Sequence, residues 1–516
     1  MISRIHSMVL QGIDAASCEV EVDVARGGLG ELRLVGLPDA AVKEAVSRVQ
    51  AAMRNSGFGW PGPKVTINLA PADVKKEGPA YDLSIALGVM LAGGELLSEK
   101  HHRYMILGEL ALDGRLRPVK GALAAAMLAQ REQLDGIILP RANAREAAVV
   151  DRLEVIGCDT LTQAVGFLTD ELPVESTQVD LDEVFQRAAR YDADFGDVRG
   201  QAAAKRAMTV AAAGHHNLLM IGPPGSGKTM LAQRIVTILP PLTMGESLET
   251  TRIYSSRGLL AAGQSLMATR PVRAPHHSAS PASLVGGGTV PQAGEISLSH
   301  HGVLFLDELP EFPRATLEMI RQPLEDGWVT IPRVHSTVRF PARIMLVAAM
   351  NPCPCGYATD PRRRCNCSPT AIERYMSRIS GPLIDRIDIH IEVPAVPYRQ
   401  LRSETGDGMT SETMRQSVIV ARSVQRRRFG HPTDGQTDGL ITNASMTSRQ
   451  VREYCRLDAA GETLLRQAVN ELGLSARAHD KVLRISRTIA DMEGAADIAA
   501  NHLAEAVQYR RLDRKL

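Results

Sequence analysis

At 516 residues, 44% of them hydrophobic, the chain is long enough for about two to four packed domains and too apolar for global disorder. Its formal net charge of +1 gives no overall basic footprint for nucleic acid, so any such contact has to come from local clusters. Seven cysteines are too few for a disulfide scaffold of this length, and four of them fall together.

Taken in chain order, Met1 to His6 lacks a long apolar segment behind its charge, which predicts no secretory signal. Cys18 to Val24 alternates with period two, as a half-buried strand does. Asp39 to Asn55 has helical spacing and ends near Gly57, and Val65 to Leu69 reads as another strand. The most apolar stretch, Ser84 to Gly94, is too short to cross a bilayer, so a soluble, cytoplasmic protein without a membrane partner is expected. These patterns predict a first domain over 1–170 and an acidic, polar linker over 171–190, interrupted by Pro173. A nucleotide-binding domain is expected over 191–397, a helix and a Gly- and Asp-rich loop over 398–442, and a helical domain over 443–516. Cys18, Cys158 and Cys455 stand alone and read as structural.

Gly222, Pro223, Pro224, Gly225, Ser226, Gly227, Lys228 and Thr229 fit G-x-x-x-x-G-K-[ST]. An apolar run, Asn217 to Ile221, precedes them and a helical pattern follows. That is strand, glycine loop, helix, the setting in which converging backbone N–H groups and a helix N-terminus hold phosphates. Lys228 is expected at the β- and γ-phosphates of ATP and Thr229 on Mg²⁺. Val303 to Leu306 reads as a buried strand delivering Asp307 and Glu308 at its tip, Asp307 to support Mg²⁺ and Glu308 to polarise the attacking water. A second apolar strand, Arg343 to Met350, ends at Asn351, which from spacing alone is equally a turn residue before Pro352.

Cys353, Cys355, Cys365 and Cys367 form two C-x-C pairs within a loop over 353–367. Four thiolates favour tetrahedral Zn²⁺, although C-x₂-C is the commoner spacing; a redox pair or inert thiols are the alternatives. Adjacent His276 and His277 suggest a metal, but two ligands do not make a site, and a structural or substrate-contact role competes.

Taken together, the chain resembles the magnesium-chelatase-like AAA+ ATPases of bacteria, specifically the YifB/ComM group. The resemblance runs nearly end to end. Its marks are Val35-Gly-Leu-Pro-Asp39, Asn68-Leu-Ala-Pro-Ala-Asp73 and Gly108-Glu-Leu-Ala-Leu-Asp-Gly114 in the first domain. Those of the second are Arg273-Ala-Pro-His-His-Ser278, Gly294-Glu-Ile-Ser-Leu298, Asp307-Glu-Leu-Pro-Glu-Phe312 and Ala349-Met-Asn-Pro352. Leu474-Ser-Ala-Arg477 and Ala490-Asp-Met-Glu-Gly494 mark the last.

This resemblance implies a multidomain α/β protein. Its parts are an N-terminal Lon-protease-like (S5-like) α+β domain, an AAA+ phosphate-loop α/β core with second-helix and pre-sensor insertions, and a C-terminal helical lid. It implies a homo-hexameric ring moving on branched or single-stranded DNA, a helicase-like branch-migration motor of natural transformation, with recombination proteins as partners. A chaperone-like or chelatase-type remodelling ATPase acting on a protein is the alternative. The family pattern makes Asn351 a sensor of the γ-phosphate, Arg386 an arginine finger for the neighbouring subunit, and Arg477 a second sensor on the lid. Asp197 to Gln201 falls where the family packs the adenine. The insertions put Arg273, His276 and His277 on one segment and Arg333 and His335 on a hairpin from Trp328 to Phe340, facing DNA in the pore or simply solvated. The cysteine loop is expected to be structural and distant from the phosphate loop, with Arg362 to Arg364 on a rigid knuckle. Ala80 and Leu123 stand where Lon carries its nucleophile and base, so no protease chemistry is expected, and Ser84 and Lys120 lie off register.

Overall fold

Two folding units divide the chain in the computed structural model, which describes residues 2–25, 31–62, 64–188, 191–288, 290–332, 337–397, 400, 408–430 and 442–510. The first unit comprises Met1–Arg187 and Ser247–Ala268, the second Ala188–Glu246 and Thr269–Leu516.

In the first unit, alternating sequences give strands with one buried face. β1 (Ile2–Gln11) and β2 (Asp14–Ala25) form a long antiparallel hairpin, followed by β3 (Glu31–Val35) and β4 (Lys64–Ala70). With β5 (Tyr104–Ile106), β6 (Gly136–Pro140) and β7 (Glu154–Cys158) they make a mixed sheet in the order β3-β4-β2-β1-β5-β6-β7. The Asp39 side chain accepts from the Val42 N–H at 2.8 Å and starts α1 (Ala40–Asn55) where the spacing predicts it. The apolar stretch around Ser84 becomes α2 (Asp82–Gly93), buried along nearly its whole length, a core helix against the sheet. The interval expected as linker holds a short helix, α3 (Leu181–Ala188), with no buried residue. Ser247–Ala268 packs with this unit although it lies within the stretch assigned by sequence to the nucleotide domain: the Gly121 N–H donates to the Ser255 carbonyl at 3.2 Å, and Arg252 pairs with Asp14.

The second unit is built on a five-stranded parallel sheet. β8 (Leu218–Ile221), β9 (Val272–Arg273), β10 (Val303–Leu306), β13 (Met345–Met350) and β14 (Ile389–Glu392) lie in the order β9-β10-β13-β8-β14. Between β10 and β13 the chain forms an antiparallel hairpin, β11 (Trp328–Pro332) and β12 (Thr337–Pro341), with Val329 opposite Phe340. Its tip, with Arg333 and His335, lies outside the described residues. The central strands are continuous apolar runs because both faces of a parallel sheet are covered. Helix α4 (Ala202–Gly214) packs against α8 (Ser411–Phe429) and α10 (Ala476–Met492), and one hydrophobic core joins Val210, Leu218 and Val347 to Val418, Val482 and Ile489. The C-terminal helices α9 (Ala459–Leu472), α10 and α11 (Ala500–Gln508) therefore share a core with the sheet. Among the described residues no helix is long and apolar enough to cross a membrane.

Candidate functional site

In a parallel α/β sheet, groups carried past the carboxyl ends of the strands meet in one crevice beside the first strand. Here β8, β10 and β13 are neighbours, so their ends deliver the glycine loop, Asp307-Glu308 and Asn351 to one place. A cavity of about 400 Å³ opens there, lined by Pro224 to Met230, Asp307, Glu308, Met350 and Asn351.

The loop is wedged between strands. The Gly222 N–H donates to the Met350 carbonyl at 3.2 Å, and a Cβ on Gly222 would overlap the Val393 carbonyl, so only glycine fits. Gly225 and Gly227 have φ of 74° and 91°, the left-handed region glycine enters freely. Gln201, itself at φ 61°, braces the loop from the other side: its Nε2 donates to the Ser226 and Pro394 carbonyls at 3.2 and 2.7 Å.

Helix α5 (Lys228–Arg234) begins at the loop, and Lys228 is buried at its first position. Its Nζ donates to the Gly222 carbonyl at 2.8 Å, the Pro223 carbonyl at 3.1 Å and Asn351 Oδ1 at 3.2 Å. Burial pulls its pKa down, while Asp307 and Glu308 oppose that shift. Three neutral acceptors are weak compensation for a desolvated ammonium, and a phosphate oxygen is the natural counter-charge. Thr229 Oγ1 donates to Asp307 Oδ2 at 2.7 Å. This pairing of a hydroxyl with a carboxylate is the hard-oxygen donor set Mg²⁺ accepts.

Glu308 is left-handed, φ 52°, at the turn out of β10, and exposed. A non-glycine residue held there costs of order 1–3 kcal/mol, and such strain collects at functional sites. His277 Nδ1 lies 3.2 Å from Glu308 Oε2, with its ring edge-on to Phe312. The histidine expected at DNA thus faces the carboxylate expected to polarise water. Arg273, also expected at DNA, is committed to a fork with Glu295, Nε–Oε2 2.6 Å and Nη2–Oε1 2.9 Å. His276 is exposed and turned onto Ser278 at 2.8 Å.

Arg386 and Arg477 do not line this cavity. Arg386 precedes β14, at the amino-terminal edge of the sheet, whereas the phosphate loop leaves the carboxyl edge. Its guanidinium is mostly covered, pairs with Glu325 of α6 (Arg314–Asp326) and donates to the Pro382 carbonyl at 2.6 Å. Arg477 is exposed near the start of α10.

The four clustered cysteines come together: Cys353 Sγ lies 3.4 Å from Cys355 Sγ and 3.7 Å from Cys365 Sγ, and all four sulfurs are within 4.8 Å of one another. The Tyr357 backbone N–H and the neighbouring Cys353 thiol bring the Cys355 thiol down to about 6. The expectation that this loop stands distant from the phosphate loop is not met. Gly356, at φ 87°, is so close to Pro224 that a Cβ would lie 2.6 Å from its ring.

Sequence reasoning left the Glu308 and Arg386 partners unnamed. His277 and Glu325 come from elsewhere along the chain, and only the Arg-Ala-Pro-His-His segment carried a signal for the first.

In the first unit, Ala80 only accepts a backbone bond from Gly108, and the Leu123 N–H donates to buried Glu146. Ser84 is buried, its hydroxyl donating to the Ile106 carbonyl at 2.7 Å, while Lys120 is exposed.

These features define a phosphate-loop protein on a parallel sheet. Comparison with known proteins agrees. Residues 194–401 match the family described as magnesium chelatase, subunit ChlI; 20–143 match subunit ChlI of Mg-chelatase; and 408–510 match the ChlI C-terminal family. The chain is 42% identical over 517 residues to competence protein ComM of Haemophilus influenzae, covering 99% of this chain and 98% of the relative. It is 41% identical over 515 residues to YifB of Escherichia coli, covering 100% and 98%. The chain belongs to the YifB/ComM family of magnesium-chelatase-like proteins. A weaker similarity, 27% over 117 residues and 21% of this chain, links it to Lon protease 4 of Sorangium cellulosum.

Proposed function

We propose that the protein is an ATP-hydrolysing AAA+ motor that assembles as a hexameric ring and moves on DNA in helicase-like branch migration. The observation that carries the ATPase reading is the convergence of Lys228, Thr229, Asp307, Glu308 and Asn351 on one cavity. In this reading the loop N–H groups and Lys228 bind the phosphates, and Thr229 and Asp307 hold Mg²⁺, which neutralises charge on the phosphate oxygens when bound. Glu308 accepts a proton from the attacking water, His277 keeps its carboxylate in place, and Asn351 orients the same region through Lys228. Zn²⁺ on the cysteine cluster completes the cofactors.

The position of Arg386 supports assembly with neighbouring subunits, and the hexameric ring is what the family resemblance implies. Arg386 sits at the wrong edge of the sheet for its own cavity, so an arginine-finger role requires a neighbour's. The DNA substrate is carried over from the competence role in the Haemophilus relative's name. Arg273 and His277 are engaged within the chain while His276 is exposed, so we assign the polymer contact to the hairpin β11–β12, through Arg333 and His335, with His276 as a further candidate. Residues 1–170 serve as a non-proteolytic binding or assembly module. Chaperone-like or chelatase-type remodelling of a protein partner is the second reading; the matched family description names magnesium chelatase. ATPase turnover with and without forked and four-way DNA, across a salt series, separates the two. Stimulation by DNA that falls steeply with salt supports the motor. Turnover indifferent to DNA but raised by a protein fraction supports the second reading.

A further inference from the structure

The cysteine cluster starts two residues beyond Asn351 and returns to it. Cys353 is fully buried, and the other three thiols are half-buried. The sulfurs of Cys353, Cys355 and Cys365 stand 3.4, 3.6 and 3.7 Å apart. Zn–S bonds of about 2.3 Å in a tetrahedron put the sulfurs about 3.8 Å apart, so little movement is needed to admit the ion. Disulfide bonding of one pair would leave the other two sulfurs, also within 4.8 Å of the rest, unexplained.

Little else orders this loop. Arg362 to Arg364 are exposed, and the contacts within the loop are local and polar: Arg363 stacks 5.0 Å over Tyr357 and donates to its hydroxyl at 2.8 Å, the Arg362 N–H donates to Asp360 at 2.8 Å, and the Gly356 N–H donates to the Cys353 carbonyl at 2.9 Å. Yet the loop touches the nucleotide cavity. Gly356 abuts Pro224, whose ring lines that cavity, and a Cβ on it would be 3.8 Å from Asn351 Cγ. Cys367 leads directly into α7 (Pro369–Met376), where buried Tyr375 takes up the Asn351 backbone N–H. Both ends of the loop are therefore fastened to the residue that accepts from Lys228.

We propose that Cys353, Cys355, Cys365 and Cys367 bind one Zn²⁺ per chain and that this metal centre braces the phosphate loop through Gly356 and Pro224, making nucleotide binding dependent on zinc. The inference rests on reading 222–229 as the nucleotide loop. Metal binding is folding energy for a segment with so little apolar content, and here that energy is delivered beside the phosphates.

The test uses the full chain, purified without added metal. Zinc is measured by elemental analysis, and affinity for a fluorescent ATP analogue is measured with Mg²⁺ before and after chelation under reductant, with circular dichroism to confirm the fold. About one zinc per chain is expected. Removing it should weaken nucleotide binding by about tenfold or more, restored by Zn²⁺ and not by Mg²⁺ alone. Gly356→Ala keeps all four thiols but drives a methyl group into Pro224, so it should retain zinc and still bind nucleotide more weakly. Lys228→Ala should lose nucleotide with zinc unchanged. Zinc near zero with four reactive thiols overturns the metal site. Zinc present, with affinity unaltered by its removal and by Gly356→Ala, overturns the brace. Failure of the wild-type chain to bind ATP overturns the nucleotide reading and the brace with it, whatever its zinc content.

Discussion

Lys228 is a desolvated cation resting on two carbonyls and an amide oxygen, and Glu308 is an exposed carboxylate in a strained turn beside His277. The two should fail differently. Lys228→Ala removes the charge facing the phosphates and should abolish ATP binding. Glu308→Gln preserves shape but loses the proton acceptor, so ATP should bind and persist while turnover falls by roughly 10²–10³-fold. Equilibrium binding beside single-turnover hydrolysis distinguishes them, and near-normal turnover in Glu308→Gln removes that residue from the chemistry. His277→Ala takes away a polar contact to a charged group, worth about 1.5–3 kcal/mol. Its kcat should drop by about tenfold or more with KM unchanged; a lower affinity with normal kcat would make His277 a binding residue instead.

Among the elements, the strand ends explain what could be read beforehand. The glycine loop and the apolar runs into Asp307 and Asn351 are local patterns, set by backbone freedom and by two-sided burial, and a sequence displays them directly. The Arg273–Glu295 fork bridges 22 positions, the Lys228–Asn351 bond 123, and the Gly356–Pro224 contact depends on chain folding; no spacing rule encodes such pairs. Basic residues in a segment of unknown course therefore looked available to DNA when one was already neutralised. The junction of α10 with β14 was equally hidden. Lys481 on α10 lies 2.9 Å from Asp388, just ahead of β14, with His216 Nδ1 at 3.5 Å. Burial works against the Asp388 charge, but Lys481 and His216 hold its carboxyl well below the usual range. Lys481→Met strands that charge and should cost about 3–5 kcal/mol, read as a lowered urea midpoint. A depressed carboxyl pKa contributes stability above its unfolded value of about 3.9 and loses it as pH falls through the folded value. The deficit of Lys481→Met should accordingly narrow below about pH 4; a deficit constant with pH would assign the loss to packing.

For the whole molecule the question is whether sites are shared. Arg386 lies at the sheet edge opposite its own phosphate loop and is occupied by Glu325 and Pro382. To serve a neighbour it has to exchange Glu325 for a phosphate, a swap of anions that a guanidinium makes without losing its geometry. Arg386→Ala should bind ATP with wild-type affinity yet turn over slowly. Mixed with Glu308→Gln, it should regain activity at interfaces where an intact Arg386 meets an intact Glu308. Mixed assemblies that form, by native mass measurement, and remain inactive would exclude shared sites.

One consequence lies in the discontinuity of the first unit. Because Ser247–Ala268 is returned to it from within the second, the chain passes between the units three times rather than once. No single cut in 171–190 can separate them cleanly. A fragment beginning at residue 191 would carry a stranded piece of its missing neighbour, with Ile253, Tyr254 and Leu266 stripped of their cover. Such a fragment should be sticky and poorly behaved for reasons unrelated to ATP. Proteolytic nicking between the units, conversely, should leave the halves interlocked until denaturant releases them. The protein is in this sense stitched: the first unit takes one of its segments from within the sequence of the second.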